Sequence, residues 1–104
     1  MTEPTPVYHT KEADLVRAVA ERLRNAGWFV IVTAQDRSTR KQASGLPDVL
    51  AFRADMCLLL ECKTPTGKLR QSQLDFWERI IPHTGTHVMY RIVHYESDVE
   101  VWCI

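Results

Sequence analysis

Two acids and a lysine interrupt stretches of this chain that otherwise look buried. Asp48 ends the segment Gly45-Leu46-Pro47-Asp48, and Glu61-Cys62-Lys63 closes an apolar run thirteen residues later. Burying unpaired charge is costly, so something must compensate. A divalent cation is the simplest candidate. Two carboxylates suit Mg²⁺ or Mn²⁺, hard ions held by oxygen ligands with water and phosphate completing the shell. The backbone carbonyl of Cys62 offers a further ligand. Lys63 lies two residues beyond Glu61 on the same strand face. Near a metal, an ammonium orients an attacking water and neutralises developing charge. The chemistry these groups fit is metal-assisted phosphodiester hydrolysis.

The elements around them must bring the groups together. A helix is expected from a Thr10 cap to about Ala26, with Gly27 as its stop. Its apolar stripe is Leu15, Val16, Val19 and Leu23, and Glu12 sits at the head of that stripe. Trp28 to Ala34 reads as a buried strand. Gln35 to Gly45 is a polar loop. Asp48 to Arg53 and Cys57 to Lys63 read as two strands joined at Ala54-Asp55-Met56. If the turn centres on Ala54-Asp55, paired residue numbers sum to 109 and Asp48 lies opposite Glu61. Opposed Cβ atoms are about 4.5–5.5 Å apart.

A second helix follows from near Arg70 to Ile81 and stops at Pro82. Gln73 heads its stripe of Phe76, Trp77 and Ile80. Thr86 to Val93 reads as a strand. Asp98 to Ile104 alternates apolar and polar residues and reads as a final strand. Trp28, Phe29, Phe76 and Trp77 are expected in the core. The order α-β-β-β-α-β defines a small α/β (α+β) domain with a central mixed sheet flanked by helices. Residues 1–9 are expected to form an N-terminal arm and 10–104 one domain.

Composition narrows the classes. With 45% apolar and 25% charged residues, the chain is an ordinary globular sequence. Its net charge of zero argues against coating nucleic acid by bulk electrostatics but permits a local basic patch. No apolar run is long enough to span a membrane. Met1 to Pro6 lacks the regions of a signal peptide, so the expectation is cytoplasmic, or the host cytoplasm for a phage protein. Cys57, Cys62 and Cys103 show no disulfide framework and are expected reduced and mostly buried. His83 and His87 have no accompanying pair of cysteines and do not suggest zinc.

The ordered set resembles a known family. Pro47-Asp48 with Glu61-Cys62-Lys63 resembles the PD-(D/E)XK nuclease motif. Glu12, Gly45-Leu46-Pro47-Asp48, Leu60-Glu61-Cys62-Lys63, Gly67-Lys68-Leu69, Gln73 with Trp77, and Gly85 before a strand together resemble the VRR-NUC branch of that superfamily. The resemblance covers roughly residues 10–93. It implies a restriction-endonuclease-like core and a metal-dependent endonuclease acting on DNA. It makes Asp48 and Glu61 metal ligands and Lys63 the catalytic lysine. Glu12 becomes a helix carboxylate that reaches the metal directly or through water, and Gln73 an accessory active-site residue. Small stand-alone members are similar to four-way-junction resolvases and act as homodimers. Cys62 stands where an apolar residue is common, with its side chain expected to face away from the site.

Arg37, Arg40, Lys41, Lys68 and Arg70 flank the motifs in loops. They are either solubilising charge or phosphate contacts that orient DNA without reading sequence. A different class also fits the fold: a non-catalytic or weakly catalytic DNA-binding module within a larger repair or phage replication complex. The intact acid-acid-lysine set argues against it, because binding alone does not require those groups.

Overall fold

The computed structural model describes residues 9–33 and 45–104. Helix α1 spans Glu12–Asn25. Strands β1 (Phe29–Val32), β2 (Val49–Arg53) and β3 (Met56–Cys62) follow, then helix α2 (Gln71–Ile80) and strand β4 (Val88–Val93). Short 3-10 helices follow α2 at Ile81–His83 and β4 at Glu96–Trp102. The strands form one sheet in the order β1-β2-β3-β4. Strands β1 and β2 pair antiparallel, as do β2 and β3, and β4 runs parallel to β3. The expected mixed sheet with flanking helices is therefore present.

Amphipathic patterning drives α1 onto one face of the sheet. Leu15, Val16, Val19, Ala20 and Leu23 are its buried residues. They pack with Val30, Val49, Ala51, Leu58, Leu60, Cys62 and Val93, which project from the strands toward α1. Each fully buried Leu or Val contributes about 1.5–3 kcal/mol. That outweighs the roughly 1 kcal/mol a good N-cap adds. This explains why the helix begins at Glu12 with Lys11 as an N-cap that makes no side-chain bond. The expected Thr10 cap is not used. Gly27 ends the helix as expected, with φ of 91°.

The β2–β3 hairpin has the anticipated register. Val49 pairs with Leu60 and Arg53 with Met56, so partners sum to 109 around an Ala54-Asp55 turn. Ala54 adopts a left-handed φ of 53° to make that turn.

Three expectations are corrected. The C-terminal segment is a 3-10 helix, not a strand. The Asp98 carboxylate accepts the backbone N–H groups of His94 and Tyr95 at 2.9 and 3.0 Å, which nucleates the turn. Val99 is fully buried while Val101 is 65% exposed, so the alternation was not a strand face. Phe29 and Trp77 lie outside the core, at 67% and 41% exposure. Strand β1 is covered by α1 on one face only, so Val30 is buried and Phe29 and Ile31 are not. The cysteines are free, but only Cys62 is buried.

Candidate active site

The site lies on the sheet face away from α1, at the end of the β2–β3 hairpin. Strand parity puts Glu61 and Lys63 on this face, while Leu58, Leu60 and Cys62 face α1. Extending the hairpin register by one pair sets Asp48 opposite Glu61. Glu12 comes from the first turn of α1. Carboxylate oxygens of Glu12, Asp48 and Glu61 all lie within 4.8 Å of one another. Among the described residues, this is the one group of three or more His, Cys, Asp or Glu side chains so placed.

Each member is held from behind. The Cys62 N–H donates to Asp48 Oδ2 at 3.0 Å, while the Cys62 side chain is buried in the core. Gln73 Nε2 donates to Glu61 Oε1 at 2.7 Å. The Arg70 N–H donates to Gln73 Oε1 at 2.8 Å, which fixes the amide with its NH₂ toward Glu61. Gln73 is the buried residue of α2. Lys63 is 6% exposed, and its Nζ lies 3.3 Å from Glu12 Oε1. The Lys63 N–H donates to the Val93 carbonyl at 2.9 Å, and its own carbonyl is 3.0 Å from His94 Nδ1. The lysine backbone is thus anchored on β4 and the segment after it.

Gly45 ties the Asp48 segment to α2, a role the sequence reading missed. Its φ of 83° favours glycine, and a Cβ there would collide with the Ser72 carbonyl and approach the Gln73 nitrogen at 3.0 Å. The bare backbone therefore packs directly beneath the first turn of α2, beside Gln73. Thr33, the residue after β1, supports the same segment, its Oγ1 donating to the Pro47 carbonyl at 2.6 Å.

Electrostatics mark Glu61 as the strained member. It is fully buried. Its pKa is raised well above the usual carboxylate range, first by burial and then by the neighbouring charge of Asp48. Lys63 opposes this shift and Glu12 adds to it. Glu61 Oε2 is buried without a hydrogen-bond partner. A buried acceptor beside two more carboxylates suits a hard cation: charge compensation and the missing ligand coincide at one point.

The structure thus brings Glu12, Asp48, Glu61, Lys63 and Gln73 together. Lys68 and Arg70 are exposed on the approach to α2. Arg37, Arg40 and Lys41 lie outside the described residues. His87 Nδ1 meets Asp55 Oδ2 at 3.1 Å on the surface. Tyr90 of β4 is 5% exposed on the site face, a position that only the β3–β4 register reveals.

Sheet order and flanking helices form an α+β fold shared with a solved structure described as a VRR_NUC domain. The two superpose with a TM-score of 0.67, at 24% identity, covering 89% of this chain and 94% of that one. The family model of the archaeal Holliday junction resolvase, Hjc, matches residues 9–75, well over half of the sequence. The chain belongs to that family, within the PD-(D/E)XK-like nucleases. No curated protein matches.

Proposed function

We propose that the protein is a divalent-metal-dependent endonuclease that hydrolyses DNA phosphodiester bonds at branched structures such as four-way junctions. The observation that carries this reading is the carboxylate cluster of Glu12, Asp48 and Glu61, with the unpartnered Glu61 Oε2 at its buried end and Lys63 alongside. Asp48 and Glu61 would hold Mg²⁺ or Mn²⁺, with Glu12 reaching it directly or through water and the Cys62 carbonyl as a further ligand. When bound, the ion supplies Lewis acidity toward a phosphate oxygen and lowers the pKa of bound water.

The remaining work falls to the chain's own residues. Gln73, fixed by the Arg70 N–H, holds Glu61 in one orientation. Lys63 positions the attacking water and offsets charge as it develops on the phosphate. Its pairing with Glu12 keeps the ammonium over the cluster. Lys68 and Arg70, together with Arg37, Arg40 and Lys41, would contact the DNA backbone and set its orientation.

A homodimer follows from the same reading, since two strands of a junction need two sites. Phe29, Ile31 and Phe52 support it. They form an exposed apolar patch on the sheet beside the site, with Phe29 and Phe52 ring centroids 6.3 Å apart.

The test incubates the protein with labelled four-way junction, flap, single strand and linear duplex, in Mg²⁺, Mn²⁺ or EDTA. Cleavage is expected with either metal, fastest on the junction, and lost in EDTA, Asp48→Ala and Lys63→Ala. Equal cleavage by wild type and Lys63→Ala would sink the mechanism. Linear duplex cut as fast as junction would sink the preference for branched DNA.

A further inference from the structure

Two buried side-chain oxygens lack a hydrogen-bond partner among the described residues: Glu61 Oε2 and the Tyr90 hydroxyl. They belong to adjacent strands and share a face. Leu59 pairs with Tyr90 and Glu61 with Ile92 in the parallel β3–β4 ladder, so Tyr90 projects on the side of Leu59 and Glu61, one same-face step away. The Tyr90 ring is held by Phe76 of α2, centroids 6.4 Å apart, one helical turn from Gln73. The tyrosine is buried, and bulk water does not reach its hydroxyl.

A buried hydroxyl without a partner is costly, and so is a buried carboxylate oxygen. One is a donor and the other an acceptor with two lone pairs. They are not within hydrogen-bond distance of each other. The Tyr90 pKa is raised by burial and by the charges of Glu61 and Asp48, which places its phenol within the field of the cluster.

We propose that Tyr90 is a positioning residue of this site, its phenol donating through one trapped water to Glu61 Oε2. The carboxylate is then held from both sides, by Gln73 on Oε1 and by the Tyr90 relay on Oε2. Oε2 keeps a second lone pair for a cation. Outer groups of this kind typically change metal affinity by about 10–100-fold when removed. The proposal rests on the divalent-ion reading of the cluster.

The test titrates Mn²⁺ into DNA-free wild type, Tyr90→Phe and Asp48→Ala, following free Mn²⁺ by electron paramagnetic resonance. Tyr90→Phe removes one oxygen and keeps the ring against Phe76. It should weaken Mn²⁺ binding about tenfold or more, with the fold retained in EDTA at a melting temperature no higher than that of wild type. Wild-type binding with Tyr90→Phe indistinguishable from it overturns the proposal alone. A wild type that takes up no Mn²⁺ overturns the divalent-ion reading and the proposal with it. A crystal structure of the metal-free wild type decides the point without any variant. An ordered water between Tyr90 and Glu61 is expected, and a dry gap between them overturns the relay.

Discussion

The two faces of strand β3 are built on opposite principles. Toward α1, Leu58, Leu60 and Cys62 are fully buried among apolar neighbours and ask for nothing more. One residue along, on the other face, Glu61 and Lys63 are buried to nearly the same degree with charge still to be compensated. Identical backbone and equal burial thus yield a stabilising face and a costly one. The apolar face carries the expense of the charged face, which is what lets a small fold keep a site poised for a cation.

The sharpest way to break this contrast is to cut each face once. Lys63→Ala should lower cleavage by on the order of 10²–10³-fold per folded molecule, beyond any stability lost with its Glu12 pair. Leu60→Ala should do the reverse, costing about 2–5 kcal/mol of unfolding free energy while the surviving folded fraction cleaves normally. Denaturant melts and single-turnover cleavage on the same preparations check both. Loss of both properties in each variant would show that the faces are not separable.

A smaller effect is expected where the two halves of the site touch. Gly45→Ala forces a left-handed conformation costing about 1–2 kcal/mol and pushes a methyl group against Ser72 and Gln73. Stability should fall by at least that amount. Mn²⁺ affinity should fall too, because Gln73 loses its hold on Glu61. A variant destabilised but with unchanged Mn²⁺ affinity would mean that Gly45 serves packing alone.

The pH dependence of the metal-free protein sharpens the comparison from the charged side. The Glu61 carboxyl has a raised pKa in the folded state, from burial and then Asp48, so the folded chain binds more protons than the unfolded one. Its contribution is fully present below the ordinary carboxylate value of 4.5 and is lost progressively as pH rises above it. The melting temperature in EDTA should therefore drop from weakly acidic to neutral pH more steeply in wild type than in Glu61→Gln. Adding Mg²⁺ should restore stability at neutral pH in wild type only. Parallel pH profiles for the two proteins would remove the assigned cause.

How much of this was legible in the sequence follows from the range of each interaction. Strand parity placed Glu61 and Lys63 on one face, and hairpin counting placed Asp48 opposite, because both depend on a few consecutive residues. Helical spacing likewise put Glu12 and Gln73 at the heads of their stripes. What was not legible depends on contacts distant in sequence. Tyr90 reaches the site face only through a parallel register with β3, set by the crossover through α2. Gly45 is required by the backbone of Ser72, well over twenty residues away. Phe29 looked like core because no local pattern says that α1 covers only one face of β1. The C-terminal 3-10 helix was mistaken for a strand because Val99, Val101 and Cys103 alternate, while the Asp98 bonds that set the turn are invisible in hydropathy.

The smallest expected effect lies at the turn that governs both faces together. Ala54 holds a φ of 53° in the β2–β3 turn and is exposed, so its methyl group packs against little and only strains the backbone. Ala54→Gly should relieve the conformation and stabilise the protein by about 0.5–1 kcal/mol, after the greater flexibility of glycine in the unfolded chain is subtracted. Cleavage per folded molecule should not change, because Arg53 and Met56 still pair and Asp48 still stands opposite Glu61. Inserting a residue between Ala54 and Asp55 tests the other half of the argument. A one-residue slip exchanges the faces of a strand. If β2 slips, Val49 and Ala51 turn out of the core and Asp48 turns away from Glu61. The insertion should then lose stability and cleavage together, whereas Ala54→Gly gains the first and leaves the second untouched. An insertion that kept cleavage would mean that the Gly45 contact with α2, not the turn, sets the position of Asp48.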